Sequence, residues 1–185
     1  MHKLILLALV SLIACGCSTQ SDSDSNSSVQ RYQLESDARE ALNMLYRTTP
    51  GAKALGASAR GILVFPNIVK GGFVFGGQFG EGVLFKDGVS SGYYNSVSAS
   101  FGLQAGLQKF GYAMFFMNES DLRYLDSSEG WEIGVGPSVT VLDQGLAASL
   151  SSTTARKGVY AFFFEQRGLM AGLGLQGTKI SKINP

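Results

Sequence analysis

The chain has 185 residues, 45% hydrophobic and 11% aromatic, with 15 basic against 14 acidic side chains and a net charge of +1. That is enough apolar material for one domain of ordinary size, and no global field strong enough to draw in nucleic acid. The single histidine, His2, and both cysteines, Cys15 and Cys17, lie at the extreme N-terminus, so the rest of the chain has no Cys–His or Ser–His–Asp nucleophile, no histidine-ligated metal site and no disulfide framework.

The N-terminus reads as an address. Met1-His2-Lys3 is a short positive start, and residues 4–14 (LILLALVSLIA) are an unbroken run of mostly apolar side chains. The run is too short for a spanning helix, which needs ~20 residues, and it fits the hydrophobic region of a secretory signal. It ends in Leu12-Ile13-Ala14-Cys15, which resembles a bacterial lipobox with Cys15 as the lipidated residue. Cys17, after Ala14-Cys15-Gly16, is the alternative. The expected division is a signal peptide over 1–14, a lipidated cysteine and tether over 15–30, and one domain over 31–185. Neither Gly16 nor Ser18 is the aspartate that resembles an inner-membrane retention signal, so the lipoprotein analogy implies the outer membrane of a cell envelope. A cysteine carrying several acyl chains, palmitate-like in length, would be stably anchored. Residues 18–28 (STQSDSDSNSS) contain nothing that can pack and read as a disordered tether.

Two helices are predicted next. Over 31–48, Leu34, Ala38, Ala41, Leu42 and Leu45 recur at helical spacing. Ser36 or Asp37 is the expected N-cap, and Asp37 with Glu40 has the spacing of a capping box. Arg31, Arg39 and Arg47 lie off the apolar stripe, which leaves two readings: a helix lying on a membrane, or one packed on its own domain. Pro50 suits the first turn of a shorter helix over 50–59.

From Gly61 the period changes to that of strands. Short strands are expected at 62–65, stopped by Pro66-Asn67, then at 73–79, 82–85, 89–95, 98–108 and 112–117. Lys86-Asp87-Gly88 reads as a hairpin turn. A turn or two of helix is expected over 120–125, followed by strands at 131–135, 138–142, 146–151, 159–166, 169–175 and 179–183. The fold class expected is therefore α+β, mostly β: amphipathic N-terminal helices on an antiparallel barrel or sandwich of about ten glycine-rich strands. The 24 glycines are nearly twice the average use of roughly 7%. Many fall inside strands, where glycine marks a bulge, a bend or a close backbone approach.

Several of these segments have a distinctive wording. They are GILVFPNIVKGGFVFGGQFGEGVL over 61–84, Gly92-Tyr93-Tyr94-Asn95, SASFGLQAG over 98–106, Gly130-Trp131-Glu132-Ile133-Gly134, Arg167-Gly168-Leu169-Met170 and Gly177-Thr178-Lys179-Ile180. In this order they resemble the SYLF domain family over roughly residues 35–183. The resemblance implies a non-enzymatic lipid-binding module. Eukaryotic members bind phosphoinositides at actin-rich membranes, and bacterial members are often short secreted proteins or lipoproteins.

The resemblance directs attention to cations that could meet an anionic head group: Lys53, Arg60 and Lys70 around 62–69, and Lys179 and Lys182 near the C-terminus. Partners expected are membrane lipids, through the acyl anchor and head-group contacts, and alternatively an envelope protein docking on a structural module without lipid specificity; nucleic acid is not expected. Arg156-Lys157 reads as an exposed turn. The glycines over 71–82 lack the Gly-Lys-Ser/Thr ending and following helix of a phosphate loop. Asp126, Glu129 and Glu132 match no EF-hand spacing. Glu81, Glu132 and Glu165 would serve glycoside hydrolysis only if two of them faced each other across a cleft. No catalytic set, metal or cofactor is expected. Trp131, Tyr93, Tyr94, Phe115, Phe116 and residues 162–164 read as core, with a barrel interior spacious enough for an acyl chain as the alternative.

Overall fold

The computed structural model describes residues 22–72, 75–101, 106–127, 130–142, 158–168, 175 and 177–185. The expected signal segment, Cys15, Cys17, Glu129, Arg156-Lys157, the expected strand at 146–151 and all of 169–175 but Leu175 lie outside them. No helix among the described residues is long and apolar enough to cross a membrane.

Two helices open the fold, α1 (Asp22–Thr48) and α2 (Pro50–Gly56). The stripe that predicts α1 is the one it buries: Ala38, Ala41 and Leu45 are buried, with Leu34 and Leu42 packed beside them. The helix lies on its own domain. It begins nine residues earlier than expected, so the polar stretch from Asp22 to Gln30 is helical and not coil. Asp37 is consequently mid-helix and caps nothing; its carboxylate accepts a hydrogen bond from Gln33 one turn earlier, at 2.7 Å. The second helix starts at Pro50 as expected and stops at Gly56, three residues short.

Among the described residues eight strands follow: β1 (Gly61–Gly72), β2 (Phe75–Lys86), β3 (Val89–Phe101), β4 (Gly106–Phe116), β5 (Trp131–Glu132), β6 (Val139–Leu142), β7 (Val159–Gly168) and β8 (Lys179–Ile183), with α3 (Glu119–Ser127) between β4 and β5. They form one sheet in the order β5-β8-β3-β2-β1-β4-β7-β6, curled into a half-barrel. Every pair is antiparallel except β6 with β7. The curl is visible in two contacts. Phe116 on β4 and Trp131 on β5 are five strands apart in the sheet, yet their ring centroids are 6.0 Å apart. Tyr112 on β4 donates to Ser96 on β3, three strands away, at 2.8 Å. The face carrying these residues is therefore the concave, inner one. It holds Leu63, Phe65, Ile68, Leu84, Tyr94, Met114 and the α3 residues Leu122 and Leu125. The convex, outer face carries Ile62, Val64, Val83, Phe85, Phe115 and Phe164, and α1 and α2 pack there.

Among the described residues the strands run longer than the sequence pattern suggests: β2 runs through the gap between the strands expected at 73–79 and 82–85, and Pro66-Asn67 does not end β1. Between Val64 and Val69 β1 has one residue more than β2, and between Phe65 and Ile68 one more than β4. That is a β-bulge, a place where a proline without a ladder N–H is tolerated inside a sheet. Two glycines of β2 make room for it. A Cβ on Gly82 would lie 2.5 Å from the Val64 carbonyl oxygen, and one on Gly80 would strike the Asn67 carbonyl oxygen. The β2–β3 turn forms as predicted: Lys86 pairs with Val89, and Asp87 and Gly88 both take positive φ, 51° and 76°, as a two-residue hairpin turn requires.

Candidate functional site

The five cations singled out in the sequence do not come together. Lys53 is exposed on α2, and Arg60 is exposed just before β1, where its backbone N–H donates to the Phe116 carbonyl at 2.7 Å. Lys70 lies ten residues further along β1, which at ~3.3 Å per residue is about 30 Å away. Lys179 and Lys182 share β8 but, three residues apart, point to opposite faces. Lys182 pairs with Tyr94 on the inner side, and Lys179 with Val97 on the outer.

Lys179 belongs to a row that the sequence does not reveal. Across the outer face, Lys179, Val97, Phe79, Val69 and Lys109 stand in register on β8, β3, β2, β1 and β4. The two lysines are exposed, and Val97, Phe79 and Val69 retain 43%, 51% and 40% of their exposure. One step further along the strands, Leu107, 62% exposed, stands beside Gly71, Gly77 and Ala99. An apolar strip thus runs across the strands, bordered by a lysine at each end. The strip is about 19 Å long, four strand spacings. No element among the described residues covers it, since α1 and α2 occupy the other half of this face. Sequence alternation identifies each of these residues as facing one side of its own strand. Only the register aligns them, and the β1 bulge, which shifts Val69 relative to Val64, decides that alignment.

The inner face at the same level is polar. Ser98, Gln78, Lys70 and Gln108 form the corresponding row on β3, β2, β1 and β4. Gln78 Nε2 donates to Thr178 Oγ1 at 3.2 Å, and the buried Gln108 Oε1 has no partner among the described residues. Lys70 is half-buried here, so it faces the interior of the half-barrel and not the surface that carries Lys179. On α3, Asp126 pairs with Lys86 at 2.8 Å and accepts from the Tyr94 hydroxyl at 2.8 Å. Burial works to raise the Asp126 carboxyl; the hydrogen bonds from Lys86 and Tyr94 and the charges of Lys86 and Lys182 outweigh it and hold the group below its ordinary value. Tyr94 is pushed strongly upward by burial and by its bond to Asp126, and Tyr112 by burial against its bond to Ser96.

The acidic residues do not converge. Among the described residues no cluster of three His, Cys, Asp or Glu side chains could hold a metal. Glu81, Glu132 and Glu165 are all exposed, on β2, β5 and β7. In the strand order Glu81 is three strands from each of the others. The aromatics are mostly core. Phe65 stacks on Tyr112 with centroids 4.7 Å apart, Phe110 meets Phe163 at 5.6 Å, and Phe115 meets Phe162 at 5.5 Å. The Phe65–Tyr112 and Phe110–Phe163 pairs lie on the inner face, where an acyl chain would have lain, and the Phe115–Phe162 pair on the outer.

Residues 97–184 match the protein family described as "Ysc84: Las17-binding protein actin regulator". A comparison with curated proteins finds no match. The matched segment starts at Val97 in the apolar strip and includes both bordering lysines, Lys109 and Lys179. It agrees with the resemblance carried by the glycine-rich motifs: over residues 97–184 the chain is similar to the SYLF (Ysc84) domain family.

Proposed function

We propose that this domain is a non-enzymatic lipid-binding module that rests on an anionic membrane surface through the bare half of its outer face. The observation that carries the reading is the in-register row Lys179–Val97–Phe79–Val69–Lys109. Each lysine near an anionic leaflet contributes about 1 kcal/mol. Taking a half-exposed valine or phenylalanine out of water adds about 1 kcal/mol, roughly half the gain of full burial. A strip of this size gives weak, reversible binding by itself. With the chain tethered by an acylated Cys15 (or Cys17) at the outer membrane, the second contact becomes intramolecular, and weak affinity is sufficient. Of the other cations, Lys53 and Arg60 would add long-range attraction, whereas Lys70 and Lys182 lie on the inner side and would act only on a head group that reaches it.

The test is vesicle flotation of the chain from Asp22 onward, which keeps every described element and removes the acyl anchor. Binding to vesicles containing phosphatidylglycerol that weakens with added salt is expected. Absence of binding at low salt would remove the reading.

The family's printed description names Las17 binding, and this favours a second reading in which the same strip docks an envelope protein. Crosslinking in the envelope separates the two: one stoichiometric protein partner, with no vesicle binding, would select the second.

A further inference from the structure

A groove of about 420 Å³ lies under α1 at the opposite end of the outer face from the lysine-bordered strip. Its wall is α1, its floor Ile62 and Phe85, and its mouth the β2–β3 turn at Asp87-Gly88. Arg39, Asn43 and Tyr46 line the wall. At i, i+4 and i+7 they share one helix face, spread over about 10 Å. Arg39 is held in place from two sides: its Nη1 donates to the Gly88 carbonyl at 2.9 Å, and its guanidinium lies 4.8 Å from the centroid of the Phe85 ring. Most of its five donors are still unused. The Asn43 amide and the Tyr46 hydroxyl have no hydrogen-bond partner among the described residues. Asp87 forms no ion pair among them, and Arg39 bonds the carbonyl next to it instead of its carboxylate. Among the described residues no other charged side chain lines the groove.

The groove therefore presents one cation and one anion that do not neutralise each other, with two neutral hydrogen-bonding groups along an apolar floor. A simple anion would be repelled by Asp87, and a simple cation by Arg39. We propose that the groove binds a small zwitterion, a molecule carrying both an ammonium group and an oxyanion. Arg39, helped by Asn43, takes the oxyanion, and Asp87 takes the ammonium. Two sources share this chemistry, a free amino acid and the head group of an aminophospholipid.

The full-length chain is titrated, with its amide NMR signals as readout, against L-alanine and glycerophosphoethanolamine as the two zwitterions. Glycerol 3-phosphate and ethanolamine serve as single-charge controls. At least one zwitterion is expected to move the Asn43 and Gly88 signals, with both controls about tenfold weaker or more. Alanine alone would identify the free amino acid, and glycerophosphoethanolamine alone the lipid head group. Asp87→Asn should erase the preference over glycerol 3-phosphate while leaving the turn intact, because asparagine tolerates positive φ. Controls that bind as well as the zwitterions, or two zwitterions that move nothing at millimolar concentration, would overturn the proposal. Vesicle flotation of Asp87→Asn should match the unaltered chain, so this site and the membrane-facing strip fail separately.

Discussion

The two halves of the outer sheet face are built from the same strands and end differently. Towards the start of β1, Ile62, Val64, Val83, Phe85 and Phe115 are buried under α1 and α2. Beyond the bulge, Val69, Phe79, Val97 and Leu107 point the same way and stay in solvent. The alternation is equally apolar in both. The helices make the difference: α1 carries alanines at its contact positions, Ala38 and Ala41, and so approaches the sheet closely over one half only. Apolar residues alternating onto one face of a sheet thus do not by themselves define a core. A half-face left bare, with a lysine at each end, has the character of an interaction surface.

Substitutions should separate the halves. Phe115→Ala, in the covered half, should cost about 3–5 kcal/mol, whereas Phe79→Ser, in the bare half, should change stability by about 0.5 kcal/mol or less; urea denaturation measures both. Equal losses would mean that the strip is covered core. Gly82→Val tests the bulge that sets the register of the strip. Its new side chain meets the Val64 carbonyl and the Phe65 ring, and a loss of about 1–3 kcal/mol is expected, with weakened vesicle binding as Val69 loses its alignment. Reversing both bordering lysines, Lys109→Glu with Lys179→Glu, should reduce binding to anionic vesicles at least tenfold, at about 1 kcal/mol per lost charge, with the melting temperature nearly unchanged. Reversing Lys53 should have a smaller effect. The smallest expected effect lies away from the outer face, at Asp126. Its carboxyl is held below the ordinary 3.8, so its contribution is present above that pH and is lost as pH falls through the lowered value. Its side chain is 34% exposed, so solvent screening keeps that contribution small. Asp126→Asn should melt lower than the parent at neutral pH, and the difference should vanish in strong acid.

Much of this architecture is legible in the sequence, and the parts that are not share a cause. The α1 stripe, the start of α2 at Pro50, the Asp87-Gly88 turn and the last strand over 179–183 all depend on neighbours within a few residues, and they form where expected. Pro66-Asn67 reads locally as a stop; it becomes a bulge only because β2 offers Gly80 and Gly82 opposite it. The expected cation patch fails for a related reason. Lys53, Arg60 and Lys70 are close along the chain, but an extended strand carries Lys70 to the far end of the sheet. Lys109 and Phe79, invisible as site residues in the sequence, meet Lys179 through pairing between segments as much as 100 residues apart. Arg39 reads as a solvent-facing helix position and acquires a role from a turn 49 residues away.

The strand order also limits what a fragment of this chain can do. Residues 97–184 carry the family match, but within the sheet β1 and β2 stand between β3 and β4. A polypeptide beginning at Val97 would lack the middle of the half-barrel, β1 and β2, and on one flank would keep only 97–101 of β3. The flanks cannot substitute for it, because β4 would expose along one edge the whole ladder that β1 normally satisfies. Such a fragment should express as an aggregating, unfolded species. During synthesis the order is favourable: β1 to β4 emerge first as neighbours, and the late strands β7 and β8 then add to the two open sides of a sheet that already exists.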